Sequence, residues 1–559
     1  MINHININSP EKIILKIITK KPRNKAEFDD ARRKVCSKLK IPQISNRNLL
    51  KAYQNLVKKK RVEPNKQLEF FMRKANIRTL SGVAIVTSLT KPHPCPGNCI
   101  YCPDEIKMPK SYLATEPAAA RALALKFDPY RQMQKRIEML ARSGHPTDKI
   151  EYIVKGGTWN AYPLKYQYWF VLESFKACNN LSRKKKTSTT QQYNNITIEK
   201  LKKQLKIEQN YNDKHAKHKI IGLTLETRPD AITAKTIYDM RIQGCTRIEL
   251  GLQAPDDKIL KLIRRGHTVE QFKKAILLLR QTGFKVDLHF MPDLPGTTAN
   301  HDVEMYKLLF SDPGFKPDMV KIYPCTVIKT AKLYNWYKSG KYKPYSDKKL
   351  FEALIEIKTN TPRYCRISRL IRDIPTTDIK AGNLVTNLRE ELKKEMDKRG
   401  LKCRCLRCRE VGHSTTTLQH NNTSATHLFV DEYETVGGDE YFISFEDKKR
   451  QTVFGFLRLR LPNFDNSADL DNLYKLMPEI KDCAFIRELH VYGQLVGIGK
   501  QDNKATQHKG MGKKLVSRAE KIAKKAGFTK IAVISGVGVR NYYRKLGYKK
   551  QGTYMVKKI

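Results

Sequence analysis

Residues 93–105 read HPCPGNCIYCPDE. Three cysteines, Cys95, Cys99 and Cys102, stand with three residues and then two between them. Pro92, Pro94, Pro96, Gly97 and Pro103 exclude a regular helix here, because proline lacks a backbone donor and clashes with the preceding turn. The thiols therefore share a loop that can wrap one small object. From Ser81 onward short β-rich runs alternate with amphipathic helical patterns: VAIVTS, IEYIVKGG, IIGLTLETRP, TRIELGLQ, KVDLHFMPDLPG and MVKIYP are the β-rich runs. Between them, stretches such as RQMQKRIEMLARSG and VEQFKKAILLLRQTG repeat apolar residues at three and four, the helical period. Strands alternating with helices imply parallel pairing, and about six such units predict an α/β fold built on a partial (β/α)6 barrel. The cysteine loop follows the first strand, at the strand ends where barrel enzymes place their chemistry.

Three thiolates would ligate three irons of a four-iron, four-sulfur cluster and leave the fourth open to an outside molecule. A zinc ion short of its fourth ligand, or plain buried thiols, are the other readings of the spacing. KGGT, Lys155 to Thr158, ends the second predicted strand and alone reads only as a turn.

The chain of 559 residues is long enough for two to four domains. Twelve cysteines, scattered apart from two clusters, and an N-terminal stretch without a long apolar segment predict a reducing, cytoplasmic compartment and no membrane span. Lysine and arginine number 107 against 55 acidic residues, a net charge of +52. An AT-rich genome would inflate lysine, but repulsion on this scale is most simply screened by a polyanion, and nucleic acid is the expected partner. Residues 1–80 are basic and helix-like. Arg32, Arg33, Lys34, Lys38, Lys40, Lys58, Lys59, Lys60 and Arg61 stand in two runs, each a solvated face or, on an exposed arm, a grip on a phosphate backbone.

A second cluster, CRCLRCREVGH, carries Cys403, Cys405 and Cys408 with His413 beyond. Its different spacing suits tetrahedral zinc. Cys365 or Cys325 could replace His413 as fourth ligand, and spare thiols are the plainer alternative. STTTLQHNNTSATH then reads as a linker. Beyond it FGFLRLRL and AFIRELHVYG alternate like strands, and QHKGMG, Gln507 to Gly512, opens a helix with Met511, Leu515, Ala519, Ile522, Ala523 and Ala526 on one face. KIAVISGV and RNYYRKLGYKKQG follow. Glycines at a strand-to-helix turn offer backbone amides and a helix N-terminus to an anion such as a pyrophosphate.

Two resemblances sharpen these readings. The Cys-x3-Cys-x2-Cys loop after a first barrel strand closely resembles the radical S-adenosylmethionine superfamily, in which the methionine moiety takes the open iron and a glycine-rich turn, placed like KGGT, receives its amino group. The Gln-x-x-Gly-x-Gly turn with its downstream Tyr-Tyr-x-Lys-x-Gly-Tyr resembles the GNAT acetyltransferases, whose turn cradles the pyrophosphate of coenzyme A; ELHV, Glu488 to Val491, takes the place of the strand that pairs with the pantetheine arm. Together, and with LETRPD, RGHTVE, MPDLPG, RDIP and NLRE in order, the chain resembles over nearly its whole length the catalytic subunit of Elongator, the Elongator complex protein 3 family.

That resemblance implies 5-carboxymethyluridine formation at the tRNA wobble position. Reductive cleavage of S-adenosylmethionine at a [4Fe-4S] cluster yields a deoxyadenosyl radical, which takes hydrogen from the acetyl group of acetyl-CoA. The carbon radical adds to uridine C5, and thioester hydrolysis frees coenzyme A. It implies that Cys95, Cys99 and Cys102 hold the cluster, and that Lys149, Glu488, Leu489, His490, Val491, Met511, Gly512, Lys513 and Tyr543 contact coenzyme A. By sequence alone Lys149 is a solvated residue before a strand and Tyr543 a core aromatic. It also implies tRNA, an electron donor and Elongator-like accessory subunits as partners. The expected domains are a basic helical tRNA-binding region at 1–80, the radical core at 81–385, an extension with the second cysteine cluster at 386–415, and the acetyltransferase-like domain at 416–559. The segment SRKKKTSTTQQYNNIT departs as a polar insertion, and Cys325 and Lys329 stand where a small residue and an arginine are expected. A protein (histone) lysine acetyltransferase with a structural iron-sulfur domain is the alternative, and a non-enzymatic tRNA-binding scaffold a further one; the intact cofactor motifs weigh against both.

Overall fold

The computed structural model describes residues 10–74, 79, 81–183, 195–411, 426–463, 468–492 and 510–559. Most of the polar insertion, most of the linker, His413 and Gln507 to Lys509 lie outside these residues.

Four helices, Pro10–Ile18, Lys25–Lys38, Asn46–Lys58 and Lys66–Met72, come first. Asn24, Ser45 and Asn65 cap the last three through their side chains, satisfying amides that the first turn leaves open. The helices enclose their own core of Ile13, Phe28, Leu49, Tyr53 and Phe71, so the basic runs lie on a packed bundle rather than on a loose arm. Arg32 is not exposed: its guanidinium reaches Asn46 Oδ1 at 2.5 Å and Asp29 at 3.4 Å. Arg33 and Lys34 are exposed beside Asp30. Arg73 Nε donates to the Gly144 carbonyl at 2.8 Å and ties the bundle to the barrel.

The barrel sheet has seven strands: Ala84–Leu89, Lys149–Lys155, Lys219–Thr227, Arg247–Gln253, Lys285–Phe290, Met319–Ile322 and Arg366–Arg369. They lie in chain order and every pairing is parallel. The first six coincide with the β-rich runs. The seventh, RISR, is four residues long and mostly polar, too short to carry a period. Side chains alternate across the sheet: Ile150, Tyr152 and Val154 are buried beneath the helices, while Glu151, Ile153 and Lys155 line the lumen. Lys149 shares their face.

The second sheet runs His427–Thr435, Gly438–Glu446, Val453–Pro462, Cys483–Val491, Lys530–Val533, Tyr554–Lys558 and Lys549–Gln551 across its width. His427, the last residue of the polar run read as a linker, already belongs to its first strand. Pairing is antiparallel except between Cys483–Val491 and Lys530–Val533. A bulge at Arg487 sets Arg458 opposite Glu488 and Leu459 opposite Ile486. Parallel pairing with Lys530–Val533 covers only Cys483 to Ile486 and stops at the bulge. The extra residue also shifts the phase of the strand. Arg487 and Glu488 both turn toward the barrel, while Leu489 and Val491 pack in the core under the helix Met511–Lys525. That helix buries Met511, Leu515, Val516, Ala519 and Ala523; Ala526, read as part of its face, is its exposed C-cap.

The two domains meet through a fully buried ion network. Asp318, just before the sixth barrel strand, takes Arg487 through both oxygens at 2.5 and 2.8 Å and accepts from the Val286 amide at 2.9 Å. Glu440 receives Arg280, Arg460 and Arg487. Among the described residues no helix is long and apolar enough to cross a membrane.

Candidate active site

The cysteine loop folds against Arg265, whose guanidinium is held by the Gly251 carbonyl and lies 3.5 Å from Cys99 Sγ. Cys102 hydrogen-bonds to the Cys99 sulfur; that bond first, and the Arg265 charge next, bring the Cys99 thiol down to about 4, while the same bond, with burial, pushes Cys102 up against the pull of Arg265. The Gly97 amide donates to Cys95 Sγ at 3.4 Å. A side chain at Gly97 would collide with the Arg228 guanidinium, which explains glycine at this crowded turn. KGGT packs beside the loop, with Thr158 Oγ1 3.7 Å from Cys95 Sγ. Gly156 and Gly157 have φ of +133° and +85°, a region that side chains disfavour. Lys155 reaches into the lumen, where Glu226 and Glu249 receive it.

Below the loop the lumen is charged. Glu249 also receives Lys321, and His289 stands 3.6 Å from Glu249 and 3.8 Å from Glu226. Burial brings the Lys321 ammonium down to about 8 against the opposing pull of Glu249. Sequence reading passed over these residues, yet a signal existed: Glu249, His289 and Lys321 are charged or ionisable residues inside mainly apolar strand runs, IELGLQ, VDLHF and VKI. Near the loop, Arg228 Nη1, Gln253 Oε1, Thr227 Oγ1 and Glu249 Oε1 are buried without a partner. Buried polar atoms are normally satisfied, so these point to a polar ligand.

One cavity of about 1020 Å³ runs from Cys95, Cys99 and Cys102 through the lumen to Arg458, Glu488 and His490. Glu488 is gripped by Lys285 at 3.1 Å and Arg458 at 2.9 Å. Burial raises its carboxyl, but the two cations outweigh burial and hold it at about 2. Leu489 and Val491 face the other side. At the turn, Gly510 has φ of +72° and caps the helix N-terminus. A Cβ on Gly512 would lie 2.6 Å from the Tyr542 hydroxyl and 3.8 Å from Val491 Cγ2. Met511 is buried and Lys513 exposed. Tyr543 lies in the core, edge-on to Tyr548; its neighbour Tyr542 is the tyrosine at the turn. Lys149, at the far end of the lumen strand, is half-buried, and burial lowers its ammonium. Of the sequence-selected residues, Cys95, Cys99, Cys102, Glu488 and His490 line one cavity; Lys149, Leu489, Val491, Met511 to Lys513 and Tyr543 lie outside its lining.

Cys403, Cys405 and Cys408 bring their sulfurs within 4.8 Å of one another. Cys365 sits beside them, its carbonyl accepting from the Leu406 amide at 2.8 Å. Cys325 is elsewhere, buried near Asp293 and Tyr342. Among the described residues the three cysteines of the first loop do not form such a tight triad.

A parallel half-barrel bearing a three-cysteine loop, joined to a splayed acetyltransferase sheet, is the architecture of a radical S-adenosylmethionine enzyme fused to a GNAT domain. Residues 93–309 match the Radical SAM superfamily, 317–398 the Radical_SAM C-terminal domain and 412–548 the Acetyltransferase (GNAT) family. The chain is 42% identical over 508 residues to the tRNA uridine(34) acetyltransferase of Methanocaldococcus infernus, covering 89% of each. It is 39% identical to human Elongator complex protein 3, over 86% of this chain and 85% of that protein. The solved structure of the archaeal Methanocaldococcus infernus Elp3 with an N-terminal deletion superimposes with a TM-score of 0.70 at 38% identity, covering 86% of this chain and 99% of that one. The chain belongs to the tRNA uridine(34) acetyltransferase and Elongator complex protein 3 family.

Radical SAM membership implies S-adenosylmethionine and a [4Fe-4S] cluster, and the GNAT domain implies acetyl-CoA. The residues fit. The loop supplies three sulfurs and a cationic partner, Arg265, and the orphaned polar atoms beside it match a zwitterionic nucleoside. The glycine turn at a helix N-terminus matches a pyrophosphate.

Proposed function

We propose that this chain is a tRNA carboxymethyluridine synthase, forming 5-carboxymethyluridine at the wobble uridine with acetyl-CoA as carbon source. The observation that carries the reading is the continuous cavity with the cysteine loop at one end and Glu488 and His490 at the other. The relatives named for tRNA uridine(34) support the substrate. The bound cofactors would supply a carbon radical, which suits uridine C5 because that carbon is poorly activated toward ordinary nucleophiles. The chain's own residues bind and orient. Cys95, Cys99 and Cys102 hold the cluster; Glu488 to Val491 and Met511 to Lys513 hold coenzyme A, with Lys149 and Tyr543 assigned by resemblance. Lys155, Glu226, Glu249, His289 and Lys321 line the passage between the two ends.

Three assignments accompany this reading. Cys403, Cys405 and Cys408 bind zinc, supported by their clustering and by the affinity of zinc for close thiolates. The helical region before the barrel carries tRNA, supported by its Arg and Lys runs. Accessory subunits and an electron donor complete the system, in keeping with relatives named as an Elongator complex protein. The test is mass spectrometry of wobble nucleosides from tRNA incubated with reduced, cluster-loaded protein, S-adenosylmethionine and acetyl-CoA. Absence of 5-carboxymethyluridine under turnover of S-adenosylmethionine would overturn the proposal.

A further inference from the structure

Glu488, His490 and Tyr492 share the face of their strand that looks into the cavity. Two of the three are committed. Both Glu488 oxygens are taken by Lys285 and Arg458, and a carboxylate this strongly held is too weak a base to accept a proton in neutral solution. The Tyr492 hydroxyl donates to Glu410 Oε1 at 3.1 Å. His490 is different. Its Nε2 lies 3.1 Å from the Ser81 carbonyl, which can only accept. Nε2 therefore carries the hydrogen, and in the neutral ring the lone pair falls on Nδ1. Burial brings the imidazole down to about 4, Glu488 opposing and Arg366 and Lys285 adding to the fall; Glu151 and Tyr492 are the other polar neighbours. The ring is thus neutral at pH 7. Phe456, 6.0 Å away and nearly parallel, and Tyr492, tilted at 4.3 Å, both pack against the ring and restrict its orientation. Nδ1 has no partner among the described residues.

We propose that His490 Nδ1 is the general base that activates water to cleave the acyl thioester held along Glu488 to Val491. The inference rests on the coenzyme A assignment above. Backbone pairing would run the pantetheine arm along this strand beyond the bulge, where the strand Lys530–Val533 no longer pairs with it. The acyl end is then presented to His490 Nδ1, the basic side-chain nitrogen on that face with no partner among the described residues. In the step, Nδ1 takes a proton from water while the water oxygen bonds to the acyl carbon. The tetrahedral adduct collapses, the C–S bond breaks with its electron pair on sulfur, and the proton passes from Nδ1 to the thiolate. A carboxylic acid and a thiol result, with no oxidant or reductant consumed. The same chemistry serves a free acetyl group and an acyl group already joined to uridine C5.

The test uses full-length protein with tRNA and acetyl-CoA and follows thiol release. His490→Gln retains a donor for the Ser81 carbonyl but no basic nitrogen, and His490→Ala empties the site. A positioned base contributes about 10²–10⁴-fold, so thiol release should fall at least 100-fold in both variants. Acetyl-CoA affinity, read by calorimetry, should stay within about threefold, since that family of contacts is to backbone. Added imidazole should restore part of the rate to His490→Ala and none to His490→Gln. Thiol release by His490→Gln within threefold of the parent, at equal affinity, would overturn the inference and leave the coenzyme A assignment standing. Failure of the parent itself to bind acetyl-CoA would overturn the assignment, and this inference with it.

Discussion

Replacing Asp318 by Asn removes one charge from the seam between the two domains while keeping the side-chain volume. In the parent, Asp318 neutralises Arg487 in a two-point pair at 2.5 and 2.8 Å, lies 3.6 Å from Arg458, and accepts from the Val286 amide at 2.9 Å. All three side chains are buried to 1% exposure or less. Burial alone would raise the Asp318 carboxyl, but Arg487, Arg458 and Arg280 overwhelm it and hold it well below the usual carboxylate range. The substitution leaves buried guanidinium groups short of a counter-charge and turns an amide donor toward them. Breaking a buried pair from one side costs about 3–5 kcal/mol. With a urea m-value near 3 kcal/mol/M, the unfolding midpoint should fall by roughly 1 M or more. Tryptophan fluorescence reads the barrel, because Trp159, Trp169 and Trp336 all lie there. Adding Arg487→Met to the variant should recover part of the loss, since it removes one of the stranded charges. A midpoint within 0.2 M of the parent, as an order-of-magnitude threshold on that m-value, would refute the view that this network holds the domains together.

Glu488 makes the acid limb of stability testable. Its folded-state pKa of about 2 lies below the ordinary 4.5, so its contribution is present above pH ~4.5 and is lost as pH falls toward ~2; the gap corresponds to ~3 kcal/mol. Glu488→Gln should flatten stability against pH in that window, and an unchanged slope would contradict the assignment of its partners. Gly512→Glu drives a side chain at the Tyr542 hydroxyl, 2.6 Å from the Cβ position, and adds a negative charge where a pyrophosphate is expected. Acetyl-CoA affinity should drop at least tenfold, on the order of 1.4 kcal/mol, with iron content unchanged, and calorimetry decides. Arg33→Glu with Lys34→Glu alters two exposed residues whose pairs with Asp30 are worth little. If they meet tRNA phosphates, the log–log salt slope of binding should shrink by about 1–2; an equal slope in filter binding would move the tRNA surface elsewhere.

Much of this molecule is legible in its residues. Strand and helix periods locate six of the seven barrel strands, because the face that packs under the helices must be apolar at every second residue. The proline-studded loop singles out three cysteines as candidate ligands, since no regular element can form there. The turn before Met511 follows from glycine, and Gly510 adopts the left-handed conformation that such a turn uses. The pairing of partners over distance is not legible in this way. Nothing local indicates that Lys285 would grip Glu488, that Arg487 would occupy a bulge, or that His490 would donate to a carbonyl more than four hundred residues away. One extra residue at Arg487 decides which side chains of the strand see the lumen, and a bulge depends on the opposing strand rather than on its own sequence. The resemblance singles out Tyr543 for coenzyme A, yet burial puts Tyr543 in the core and Tyr542 at the turn. Periodicity and turn chemistry are properties of neighbouring residues, so sequence carries them; charge pairing, register and the joining of two half-sites into one cavity are properties of surfaces that exist only after the chain has packed.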